Sequence, residues 1–242
     1  MNSAMTEPRR KRPTAAAAAA RLLAAFALGC AVVPSLARAP AVPAAAAAVL
    51  KARFPDLQVL SHAIGPLHAK DARDVAVVLG RVDRGRRLVA VLWGDAAGGY
   101  RFSNASGDVD AACAGCDVEV RIRDATLEVG TSDPGADLAT VRTWRFAYRG
   151  VSANVLRLVG VRTEQLARSE PAHAFEQVAS ADLLTGEKVD TAEGMLDGRA
   201  TRRETRTHVP LRQVIVFDQF AFEFRGDAPE THLAFDRGFL PR

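Results

Sequence analysis

From residue 57 onward, apolar and polar residues alternate in short runs separated by turn-forming residues. Val118, Val120 and Ile122 alternate with Glu119, Arg121 and Arg123, the pattern of a strand with one buried face. Residues 126–129 return on that strand through Arg123-Asp124-Ala125. Residues 141–148 alternate again, with Trp144, Phe146 and Tyr148 on the parity opposite to Arg145 and Arg149, and residues 155–161 follow. Upstream, residues 74–79 and 88–93 are apolar nearly throughout and flank Asp83-Arg84-Gly85, a hairpin turn. Residues 95–99 form a second turn leading to Tyr100-Arg101-Phe102.

Later in the chain, 188–195 and 199–209 flank Asp197-Gly198, a strong hairpin dipeptide. Val214, Val216, Phe220, Phe222 and Phe224 share one parity, which predicts a strand over 214–224. Residues 164–172 lack strand character and predict a helical turn. No period of about 20–50 residues repeats, which argues against a solenoid. About ten short strands predict a mainly β protein, an antiparallel sandwich or twisted open sheet. Residues 57–225 form this β-rich part, as one sheet or as two lobes meeting near 163–172, and 226–242 read as a loosely held tail.

The first residues follow another pattern. Arg9-Arg10-Lys11-Arg12 is a basic start, Leu22 to Val33 is an apolar run, and Pro34-Ser35-Leu36-Ala37-Arg38-Ala39 breaks it with small residues. This is the layout of a secretory signal peptide over 1–39, cleaved near Ala37 so that the mature chain starts between Arg38 and Ala45. As a helix, those twelve apolar residues rise about 18 Å, short of the roughly 30 Å of a bilayer core. Ala27-Leu28-Gly29-Cys30 loosely matches a lipobox, which makes Cys30 a possible lipidation site. Residues 40–56 read as an alanine-rich helix or tether.

Composition changes the picture at one point. The chain of 242 residues is 48% hydrophobic and 25% charged, as in a folded protein, and carries a formal net charge of +4. Six basic residues and one acid fall within 1–40, so the remainder holds 26 Lys and Arg against 27 Asp and Glu. A near-neutral folded part gives no support for a nucleic-acid partner.

Several pieces carry a resemblance. They are the run from Asp74 through Trp93-Gly94-Asp95 and Gly98-Gly99-Tyr100, the Cys113/Cys116 pair, Trp144-Arg145-Phe146 with Tyr148, and Leu183-Leu184-Thr185-Gly186. Together, over most of 54–224, they resemble a group of exported bacterial β-rich proteins of uncharacterised function, with Asp182 where that group has Asn. The resemblance implies export and a β-rich fold, and no activity.

Candidate chemistry is sparse. Cys113-Ala114-Gly115-Cys116 can be a redox dithiol, half of a zinc site or a structural disulfide. A strand rather than a helix follows it, so the helix dipole that activates a redox cysteine is missing. His62, His68, His173, His208 and His232 lack paired spacing, and no metal site is expected. In an oxidising compartment a Cys113–Cys116 disulfide is the expected state. Asp71, Asp74 and Asp95 read as turn caps, as do Asp108 and Asp110. Arg202 and Arg206 share a strand face and form a possible anion-binding pair, or a charged edge strand. Ser180, His173 and Asp182 are close in sequence only. The aromatic stripes at 144–148 and 220–224 fit a core better than a sugar-stacking platform.

These features predict an exported non-enzymatic module that binds an envelope component or partner protein, with no cofactor. Its only membrane attachment would be the leader or a lipid on Cys30. The alternatives are a periplasmic hydrolase or thiol enzyme without a recognisable motif, and a lipid-anchored structural protein of the envelope.

Overall fold

The computed structural model describes residues 41–81, 86–109, 115–133, 138–149, 155–167, 175–196, 199–208 and 215–220. The expected signal peptide over 1–39, Cys30, Cys113, Asp197-Gly198 and the expected tail at 226–242 lie outside the described residues. Residues 42–242 form one compact unit.

The protein is mainly β. Helix α1 (Ala44–Arg53) precedes β1 (Gln58–Gly65), β2 (Asp74–Gly80), β3 (Leu88–Gly94) and β4 (Tyr100–Ala105). These four strands form one antiparallel sheet in sequence order. Seven more form a second antiparallel sheet, also in sequence order. They are β5 (Asp117–Arg123), β6 (Thr126–Asp133), β7 (Leu138–Tyr148), β8 (Leu156–Ala167), β9 (Phe175–Asp182), β10 (Glu187–Leu196) and β11 (Arg199–His208).

The apolar character of β2 and β3 reflects burial on both faces. Val75, Val77, Leu79, Leu88, Ala90 and Leu92 pack under Ala46 and Leu50 of α1. Ala76, Val78, Val89 and Val91 point the other way, into a core shared with Val120, Leu127, Val129, Trp144, Phe146 and Leu158 of the long sheet. Helix, short sheet and long sheet are therefore three layers, each burying the apolar face of the next. At the junction of the sheets, β1 approaches β5 closely. A Cβ at Gly65 would lie 3.0 Å from Ile122 Cγ2, so a larger residue there would push the strands apart.

Two expectations need correction. Residues 164–167 continue β8, paired with β7 and β9. Their polar side chains misled the reading because only one face of this strand can be apolar. Within 215–220 there is no long strand. Val216 makes one isolated bridge to Arg157, and a 3-10 turn follows at Phe217–Gln219. The turn sends both Phe217 and Phe220 into the core, edge-to-face against Phe146 at 4.9 and 5.2 Å. Parity would have placed those two on opposite faces. Residues 221–224 lie outside the described residues.

The long sheet continues unbroken past residues 163–167, so the stretches on either side share one sheet. The hairpins follow their turn chemistry. Leu196 pairs with Arg199 across the Asp-Gly dipeptide, and Arg123 pairs with Thr126. In the latter turn Asp124 and Ala125 both adopt positive φ, 49° and 55°, as a type I′ hairpin requires.

Candidate functional site

Two polar constellations stand out. The first is built on Asp74, the first residue of β2, whose side chain is fully buried. Its Oδ2 accepts the backbone N–H groups of Leu67 at 2.9 Å and His68 at 2.8 Å. Its Oδ1 accepts Gly94 N–H at 3.0 Å and lies 2.6 Å from His68 Nδ1. A carboxylate only accepts, so His68 Nδ1 carries the proton in this pair. The imidazole stacks on Trp93 with centroids 5.0 Å apart, and the Arg101 guanidinium lies 4.6 Å from the same indole ring. Trp93 Nε1–H donates to Tyr148 Oη at 2.8 Å, linking the short sheet to the long one. Ser103 Oγ lies 2.9 Å from Tyr148 Oη and donates to Asn104 Oδ1 at 2.6 Å. Burial pushes the Tyr148 phenol above its ordinary range, against the bonds from Ser103 and Trp93, which favour the ionised form.

Asp74 and His68 have the geometry of an oriented base. Yet the carboxylate spends its bonds on three backbone amides of its own loop and of β3, and the indole spends its N–H on Tyr148. The arrangement closes on itself as a latch that fixes residues 67–74, β3 and β7 relative to one another.

The second constellation is the core-side face of the long sheet. Strand register places its residues in rows running across the strands. One row reads Val120, Val129, Trp144, Val161, Ala181, Lys188. The next reads Thr131, Arg142, Thr163, Ala179, Asp190, Thr205. The third reads Asp133, Thr140, Gln165, Gln177, Ala192, Arg203. One face thus grades from an apolar half, packed against the short sheet, to a polar half. That polar half is nevertheless buried at its centre. Thr163 is 2% exposed, Gln177 5% and Asp190 6%.

Lys188 Nζ pairs with Asp190 Oδ2 at 3.0 Å. Asp190 Oδ1 and Thr163 Oγ1, both buried, have no hydrogen-bond partner among the described residues. A buried polar atom without a partner costs stability, and natural proteins hold few of them. Burial lowers the Arg142 pKa, with Asp133 pulling it back up.

The residues singled out from the sequence fall elsewhere. Cys116 is buried and its carbonyl accepts Arg87 Nη1–H at 2.7 Å. Arg202 and Arg206 share a face of β11, the edge strand, and each meets a carboxylate. Arg202 lies 3.1 Å from Glu193, and Arg206 lies 2.8 Å from Glu187 and 3.0 Å from Glu204. Those pairs offset the positive charge an anion would need. Asp95 caps its turn through Ala97 and Gly99 N–H, and Asp182 caps Leu184 and Thr185 N–H. With its carboxylate on that turn, Asp182 is not placed to orient a catalytic base, and His173 lies outside the described residues. Trp144, Phe146 and Phe220 are core.

The sequence missed His68, Thr163, Gln177 and Asp190. Of these only Thr163 left a signal, because it continues the parity of Val161 one step beyond the apolar run. Among the described residues no cluster of three potential metal ligands occurs, and no helix is long and apolar enough to cross a membrane. Comparison with protein-family models, with curated proteins and with solved structures finds no match.

Proposed function

We propose that the chain is an exported, non-enzymatic binding module whose ligand is held on the polar half of the core-side face of the long sheet. The observation that carries the reading is the buried pair Thr163 Oγ1 and Asp190 Oδ1, two polar atoms on one sheet row whose hydrogen-bonding capacity is unspent. A ligand that supplied their partners would recover the stability they cost. Binding is favoured over catalysis because the oriented His68–Asp74 pair is used to hold the chain. Export rests on the basic, apolar and small-residue order of the first 39 residues and on the resemblance to exported bacterial proteins.

A Cys113–Cys116 bridge belongs to the same proposal. It is supported by the burial of Cys116 and by Gly115 at φ 87°, which permits a tight turn between the two.

Native mass spectrometry of the full chain recovered from an envelope extract tests the reading. A discrete adduct present on the wild type and lost from the Thr163→Val, Asp190→Asn double variant is expected. The same adduct on both proteins, or on neither, would defeat it.

A further inference from the structure

The long sheet has a second face, turned away from the core. Four ion pairs lie on it in the open, Arg121–Glu119, Arg162–Glu164, Arg202–Glu193 and Arg206–Glu204, with side chains 38–68% exposed. Strand register sorts the charge on this face into opposite corners. On β5 to β8, in the two rows nearest the β5–β6 turn, Arg121, Arg123, Arg145 and Arg157 stand against Glu128. On β8 to β11, in the two rows at the far end, Glu164, Glu176, Glu193 and Glu204 stand against Arg202. Four charges of one sign against one of the other leave an excess of three in each corner, positive in the first and negative in the second. Between the corners the signs mix, with Arg162, Asp182 and Arg206.

The same face carries apolar surface. Val141 and Leu166, each 37% exposed, and half-buried Val178 are diagonal neighbours on β7, β8 and β9. Seven strands and five rows span about 29 Å by 27 Å, roughly 800 Å2. That is the area each partner contributes to a standard protein–protein interface.

Charge selects the partner. A polyanion or a polycation would lose at one corner what it gained at the other. A fitting partner carries both signs in opposite corners, as this face itself does. A two-fold axis in the plane of the face, along its other diagonal, lays the basic corner of each copy on the acidic corner of its mate. Val141 falls on that diagonal and meets its own counterpart, as a residue on the axis of an isologous contact does. The strands of the two copies then cross at near right angles, one of the two arrangements that packed sheets adopt. Beyond residue 40 the chain holds 26 Lys and Arg against 27 Asp and Glu, so no net charge keeps two copies apart.

We infer that the outer face of the long sheet docks on a second copy of this chain, through corners of opposite charge.

Sedimentation equilibrium of the full chain at low and high salt tests this, with Arg123→Glu and Glu176→Lys as variants. Both residues are exposed, and melting followed by circular dichroism checks that each variant keeps its fold. The expected result is a dimer at micromolar concentration that weakens as salt rises and weakens about tenfold or more in each variant alone. An equimolar mixture of the two variants should restore it. In the mixed dimer one contact is wild type and the other has both charges reversed. A chain that stays monomeric at low salt would overturn the second copy as partner. A dimer indifferent to both variants, as from association through the first 40 residues, would overturn the face. Variants that weaken the dimer but are not restored by mixing would overturn the corner-to-corner arrangement.

Discussion

Replacing Asp74 by alanine removes four hydrogen bonds in one step. Three of the donors are backbone amides, those of Leu67, His68 and Gly94, and the Leu67 bond is fully buried. An amide left without a partner away from water costs about 1–3 kcal/mol. The two half-buried amides can recover part of that from solvent, so the sum is roughly 3–5 kcal/mol, a large share of the 5–15 kcal/mol typical of a folded domain. At roughly 2–4 °C per kcal/mol for a chain of this size, the unfolding midpoint should fall by about 6–20 °C. Asp74→Asn keeps the shape and one acceptor oxygen but turns a donor toward other donors, and should lie between alanine and wild type. Thermal unfolding followed by circular dichroism reads both. An alanine variant within about 1 kcal/mol of wild type, or an asparagine variant equal to it, would show that Asp74 is not the latch described.

The other outcomes are smaller. Ala125→Gly should raise stability by about 1 kcal/mol, because glycine meets the positive φ of the type I′ turn without the strain a Cβ brings; a lowered denaturation midpoint would refute this. Tyr148 is pushed up by burial, so its contribution is complete below about pH 10 and is lost as pH rises through the folded value. The stability gap between wild type and Tyr148→Phe should therefore close at alkaline pH in chemical denaturation, and a gap that stays constant would contradict it. Replacing Cys113 and Cys116 together by Ser should lower the melting temperature by only a few degrees, because the loop they close is short. Alkylation of untreated exported protein should find no free thiol at either position.

Where a local pattern controlled the outcome, the sequence was readable. The 118–123 strand, the Asp-Gly hairpin and α1 follow alternation, turn chemistry and helix propensity, and each formed where expected. Residues 215–220 failed for a physical reason. Phe217 and Phe220 differ in parity, and a 3-10 turn, which alternation cannot announce, lets both enter one core. The latch was half legible. Asp74 reads as a turn cap, but its bond to Gly94 and the bond from Trp93 to Tyr148 are set by strand pairing and sheet packing at long sequence separation. Thr163, Gln177 and Asp190 lie on three strands, and only the register puts them on one face. Read one at a time, they are ordinary polar residues in a strand.

The most direct measurement is the stability of the ligand-free Thr163→Val protein. If the Thr163 hydroxyl is held without a partner, exchanging it for a methyl group of the same shape removes a buried polar group that costs about 1–3 kcal/mol. The unfolding midpoint should then equal or exceed that of wild type, while the stabilisation that wild type gains from its ligand disappears. A valine variant destabilised by about 1 kcal/mol or more without ligand, as when an ordinary satisfied hydrogen bond is lost, would contradict the claim that this face holds unspent capacity for a ligand.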